Sequence, residues 1–172
     1  MDGQNFADIV QRVALFFPCF LFALTFHEFS HAWVARFFGD NTAEWSGRLT
    51  LNPLAHLDPI GTVLFPLINM ITGVPLIGWA KPVPIDARNF RRYRTAQFWV
   101  SAAGPLSNFL LGFLGALALA TTHYLVPESY EHKRTILFVA VSFIEMNFAL
   151  GLFNLLPIPP LDGSQILLSL LP

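Results

Sequence analysis

His27-Glu28-Phe29-Ser30-His31 joins two imidazoles to a carboxylate, in a stretch that carries no other formal charge between residues 13 and 35. On a helix, residues four apart share a face, so His27 and His31 would turn their ring nitrogens toward one metal ion, with Glu28 beside the water that the ion activates. Zinc suits such ligands, and the layout is that of a hydrolase. With five His and five Glu among 172 residues, about 0.004 chance matches to this spacing are expected, so coincidence is a poor explanation. A catalytic zinc takes three protein ligands and leaves one position open, so a third ligand must come from elsewhere. Beyond the pentapeptide, only Glu145 and Asp162 lie in or beside apolar helical segments, where an ionisable group is a functional candidate by default. Asp162 is the stronger of the two, because the broken backbone of residues 157–163 can bend its carboxylate inward. Spacing alone leaves a second reading open, in which Asp162 caps the helix that begins before Ile166-Leu167-Leu168. Glu145 has the alternative of pairing with another polar group in the bundle.

These side chains need elements to hold them. Residues 9–38 are long enough to cross a hydrocarbon core of about 30 Å, which takes roughly 20 residues, and Gly39-Asp40-Asn41 is the stop signal. The pentapeptide falls in the second half of that span. In the polar stretch that follows, Glu44-Trp45-Ser46-Gly47-Arg48-Leu49-Thr50-Leu51 partly alternates and ends at Asn52-Pro53, which predicts a short strand or β-hairpin. Its edge would suit pairing with an extended substrate, although an ordinary connecting hairpin is the simpler reading. Residues 60–79 are uncharged but interrupted by Gly61, Pro66, Gly73, Pro75 and Gly78, which predicts a bent, re-entrant segment or a fourth crossing. Residues 95–124 and 135–156 are two further spans. Gly112 and Gly115 permit close helix approach in the first, and Pro159-Pro160 ends the second. The residues after Gly163 read as helical but are too few to cross, so the chain ends abruptly or is a truncated form of something longer. The expected fold class is an all-α polytopic membrane protein. It comprises three transmembrane helices, a re-entrant or fourth hydrophobic segment and a small membrane-associated β-hairpin, with residues 1–172 as a single core.

Composition agrees, with 54% hydrophobic and 12% charged residues and a mean hydropathy of +0.54, far from the roughly 25% charged of soluble domains. A net charge of −1 and the lack of a long basic run argue against a nucleic-acid partner. The start of the chain lacks the basic segment and small-residue cleavage site of a signal peptide, so the first apolar helix is expected to be retained. Arg88, Arg91, Arg92 and Arg94 cluster in one loop, which the positive-inside rule assigns to the cytoplasm. His27 and His31 then lie toward the inner end of an outside-to-inside helix, at a depth comparable to that of Asp162. Cys19 reads as a small apolar residue, His123 and His132 as solvated outer-loop groups, and His56 as a hydrogen-bonded loop residue in preference to a ligand. Trp33, Trp45, Trp79 and Trp99 fit interfacial anchors.

Three motifs occur in a telling order: the HExxH pentapeptide, then Ala103-Gly104-Pro105-Leu106-Ser107-Asn108, then Asn154-Leu155-Leu156-Pro157-Ile158-Pro159-Pro160-Leu161-Asp162-Gly163. Together they resemble the site-2 proteases, the intramembrane zinc metalloproteases, over nearly the whole chain. Asn52-Pro53-Leu54-Ala55-His56-Leu57-Asp58-Pro59 and Gly78-Trp79-Ala80-Lys81-Pro82-Val83-Pro84 resemble the compact prokaryotic branch without a PDZ domain. The resemblance implies one zinc ion per chain held by His27, His31 and Asp162, with Glu28 as catalytic base and Asn154 and Asn108 shaping the site or holding substrate. It implies transmembrane-helix proteins as substrates, cut in a prokaryotic cell membrane with the active site toward the cytoplasm. The competing readings are a membrane scaffold or transport subunit with a structural metal site, which would need a fourth ligand and no base, and a di-iron hydroxylase, which would need more histidines than five.

Overall fold

The computed structural model describes residues 3–74 and 78–171, so Pro75 and Pro172 lie outside it. Helix α1 (Gly3–Phe37) is followed by a single turn, α2 (Thr42–Trp45), and a short 3-10 turn at Pro53–Ala55. A π-helical stretch at Pro59–Leu64 then runs into α3 (Phe65–Thr72). After a 3-10 turn at Ala87–Asn89 come the long helices α4 (Tyr93–Leu125) and α5 (Lys133–Asn154), then the short α6 (Asp162–Leu170). Val13–Phe37 of α1, α4 and α5 are long and apolar enough to cross a membrane. The sequence placed all three spans, and each helix begins two or more residues earlier than expected.

Helix α4 is the centre of the bundle, packing against α5, α1 and α6. Small residues set its spacing: Ala96 meets Ala35 of α1 in a cluster closed by Phe90 and Val100, and Gly112 and Gly115 lie against Phe148 and Phe143 of α5. In lipid, where no hydrophobic force drives helices together, such close packing is what binds them. All four tryptophans are exposed.

The segment at 60–79 turns back on itself. Asp58 caps its start by accepting hydrogen bonds from the Ile60 and Gly61 amides at 3.0 and 2.7 Å. Six π-helical and eight α-helical residues follow, covering only about 20 Å of rise. The chain then returns to its starting level: the Trp79 amide donates to the Gly61 carbonyl at 3.2 Å, and the Thr62 hydroxyl donates to the Trp79 carbonyl at 2.8 Å. Among the described residues this segment is thus shorter and more broken than the three apolar spans.

The expected β-hairpin at 44–51 is not formed, and no strand occurs among the described residues. The partial alternation gives way to capping and side-chain contacts. Asp40 accepts from the Thr42 amide at 3.1 Å and starts a helical turn, Ala43 buries against Ala32 and Val83, and Arg48 reaches across to donate to the Lys81 carbonyl at 2.6 Å. Without a second strand to pair with, a strand-edge role in substrate binding falls too.

Asp40 is the knot of this region. Its carboxylate also accepts from the Asp86 amide and the Asn89 side chain, both at 2.8 Å, which ties the end of α1 to the loop before α4. Burial works to raise its pKa, but the bonds from Thr42, Asn89 and the Asp86 amide outweigh it and hold the carboxyl below its usual value. A group whose folded pKa is lowered contributes stability above its unfolded value of about 3.9 and loses it as pH falls below that. Acid unfolding in detergent, followed by circular dichroism, should therefore steepen below pH of about 4 in the wild type. In Asp40→Asn that component should be missing, with stability near neutral pH lower by about 1–3 kcal/mol.

Candidate metal centre

The second half of α1 turns His27, Glu28 and His31 into the protein, each at most 9% exposed. Chain geometry brings the third group from far away. Helix α5 ends at Asn154, the proline-rich turn redirects the backbone, and Asp162 enters as the first residue of α6. The Nε2 atoms of His27 and His31 are 3.0 Å apart, and Asp162 Oδ2 lies 3.2 Å from the first and 3.4 Å from the second. Leu161, not Asp162, holds the N-cap position of α6, and no side chain caps that end. The capping reading of Asp162 is thereby set aside.

Protonation follows from the partners on the far side of each ring. His31 Nδ1 lies 2.7 Å from the Val100 carbonyl, which can only accept, so His31 carries a proton on Nδ1 and, as the neutral imidazole, presents a bare lone pair at Nε2. His27 Nδ1 lies 2.7 Å from Asn108 Oδ1, an acceptor, with the same result. With both rings neutral, two imidazole lone pairs and a carboxylate oxygen face one another, and the buried Asp162 Oδ2 has no hydrogen-bond partner. Such an arrangement repels itself unless a cation fills it. The three separations also match the edge of about 3.3 Å expected of a tetrahedron with zinc–ligand bonds of about 2.0–2.1 Å. Among the described residues, no other group of His, Cys, Asp and Glu converges in this way.

Gly104 of α4 lies flat against both rings, where a Cβ would fall closer than 3.0 Å to His31 Nε2 and to two atoms of His27. The site is thus walled on one side by bare backbone. Glu28 is held from the other direction: its Oε2 accepts from the Val83 amide at 3.0 Å. Val83 belongs to an irregular strap, residues 78–86, which Arg48 fastens through the Lys81 and Pro82 carbonyls. Neither Val83 nor Arg48 was singled out from the sequence. A backbone donor leaves no residue-type signal, and an arginine beside a polar loop reads as solvated.

A cavity of about 1360 Å³ opens onto His27, Glu28, His31 and Asp162 and extends along α5 past Glu145 and Asn154. Glu145 is exposed to this space and forms no ion pair among the described residues, so the expected pairing in the bundle is not made. Asn154 lines the cavity and bonds to its own helix at the Leu150 carbonyl, 3.0 Å away. Asn108, by contrast, is wholly buried behind His27. His56 is also buried, with Nε2 at 2.8 Å from the Thr50 carbonyl, a loop contact as expected.

Comparison with known proteins is consistent with this geometry. The model of peptidase family M50 matches residues 125–172. "Putative zinc metalloprotease YwhC" of Bacillus subtilis is 45% identical over 152 residues, covering 87% of this chain and 66% of that protein. "Putative zinc metalloprotease Rip2" of Mycolicibacterium smegmatis is 33% identical over 145 residues, and its namesake in Mycobacterium tuberculosis is 32% identical, each covering 83% of this chain and 52% of the relative. The chain therefore spans about half to two thirds of the length of these curated relatives. No solved structure matches it. With the three motifs, the apolar spans and these relatives pointing the same way, the chain belongs to peptidase family M50, the site-2 protease family.

Proposed function

We propose that this chain is the core of an intramembrane zinc metalloprotease that hydrolyses peptide bonds within or near the transmembrane segments of other membrane proteins. In this reading one zinc ion is held by His27, His31 and Asp162, and Glu28 is the base. The observation that carries it is the convergence of two histidine nitrogens and a carboxylate oxygen beside a buried carboxylate, in the second half of an apolar span. When bound, zinc would lower the pKa of water toward about 7 and polarise a carbonyl. Glu28 accepts the proton of the attacking water and returns it to the leaving amine, while the Val83 amide keeps its carboxylate aimed at the site. The strap and α5 enclose the cavity in which an unwound stretch of substrate would lie, since a peptide bond locked in a helix is not open to attack.

One further contact supports an orientation. The Arg91 amide donates to the Phe38 carbonyl at 3.2 Å, so the arginine-rich loop lies at the C-terminal end of α1, the end nearer His31. In this reading that end faces the cytoplasm, as the positive-inside rule supports, in a prokaryotic cell membrane like those of the organisms of its relatives. A structural metal site is the weaker reading. It would need four closed ligands, and only three donors converge among the described residues.

The direct test reconstitutes the protein in liposomes with a panel of single-span proteins. Cleavage inside or beside the span should disappear with a chelator and return on adding about one zinc per chain. Zinc binding without cleavage of any substrate would favour the structural site, and a protein that binds no zinc would end the proposal.

A further inference from the structure

We propose that Asn147 of α5 is a positioning residue for the metal centre: through Asn108 of α4 it fixes His27 of α1 in the tautomer whose proton is on Nδ1, turning the Nε2 lone pair toward the metal. The inference rests on the reading of His27 as a zinc ligand. Asn108 and Asn147 are both 0% exposed, and neither touches the cavity. They form a directed chain. Asn147 Nδ2 lies 2.9 Å from the Phe143 carbonyl, which can only accept, so Asn147 must present its amide hydrogens there and its Oδ1 to Asn108. Asn108 Nδ2 lies 3.1 Å from that Oδ1 and 3.3 Å from the Ala23 carbonyl, so both its hydrogens are taken by acceptors. Its Oδ1 is left facing His27 Nδ1 at 2.7 Å.

The polarity of the whole chain is thus dictated by two helical carbonyls, at Phe143 and Ala23, whose direction cannot reverse. The Ala23 contact is the longer of the two that orient Asn108, and its geometry alone would leave the amide freer to flip. A flipped Asn108 would offer hydrogens to Nδ1 and move the imidazole proton to Nε2, where it blocks the metal. Metal-bound histidines generally depend on such a partner at the other nitrogen, and losing it costs about 10–100-fold in metal affinity. Here the partner itself needs a partner, and the third helix supplies it.

The test measures zinc affinity of the full chain in detergent by competition with a chromophoric chelator. Asn147→Leu, which keeps the heavy-atom count and branching but loses the acceptor, should bind zinc about 10–100-fold more weakly. Asn147→Asp should stay within about threefold of wild type, because a carboxyl held neutral by burial still accepts from Asn108 and donates to Phe143. Asn108→Ala should lose as much as Asn147→Leu or more, and the double variant Asn108→Ala/Asn147→Leu no more than Asn108→Ala alone, since Asn147 acts only through Asn108. Unchanged affinity in Asn147→Leu, failure of Asn147→Asp to restore it, or additive losses in the double variant would overturn the inference. Should Asn147→Leu fail to fold, nitrogen-15 shifts of the imidazoles in zinc-free wild-type protein decide the point: a His27 with a bare Nδ1 and its proton on Nε2 refutes it, and a proton on Nδ1 supports it. Wild-type protein that binds no zinc would instead overturn the ligand assignment itself.

Discussion

Glu28→Gln is expected to bind zinc as the wild type does and to cleave a reconstituted transmembrane substrate about 10²–10⁴-fold more slowly, the usual range for a lost general base. The two outcomes separate because Glu28 is not one of the three converging donors. Its contact with the protein is the Val83 amide bond, which the glutamine oxygen accepts equally well, so the strap and the fold stay in place. What the amide cannot do is take a proton from water or hand it to the leaving amine. Zinc content by elemental analysis and initial rates of cleavage check both halves. A variant cleaving at more than a tenth of the wild-type rate would sink the assignment of Glu28 as base.

Gly104→Ala should weaken zinc binding by about tenfold or more, on the 1–3 kcal/mol that overpacking a tight site costs. The added methyl would press on His31 Nε2 and on Cε1 and Nε2 of His27, the atoms that face the metal. Something must give, and the imidazoles are held on their far sides by Asn108 and Val100 at 2.7 Å each. Gly104 lies inside helix α4, where alanine is intrinsically favoured by about 0.8–1.0 kcal/mol. The zinc-free protein bears the same overpacking, so its thermal stability should fall by no more than about 2 kcal/mol, the difference between the two. Chelator competition together with thermal melting reads both, and unchanged affinity would show that the rings can shift without cost.

The spans were legible because a membrane leaves a coarse signal: some twenty apolar residues in a row need no knowledge of their neighbours. The pentapeptide was legible because helical periodicity alone brings His27 and His31 to one face. Asp162 was legible only as one of two readings. Whether it caps its helix or faces the histidines depends on where the turn after α5 directs the backbone, and that is a property of how α6 packs on α4. The stretch at 44–51 was misread because alternation predicts a strand only if another strand lies alongside. Asp40, Ala43 and Arg48 bind that stretch to other partners instead.

By itself, then, the sequence determined the chemistry on offer and the three apolar spans, since ligand spacing and apolar length are local. The tertiary structure decided which atoms meet: Asp162 opposite His27 and His31, Val83 on Glu28, Gly104 against the rings, and two buried asparagines behind His27. The reason is physical. A donor aimed at a metal is fixed by what holds its far side, and here those holds come from α4, 81 and 69 residues away in sequence.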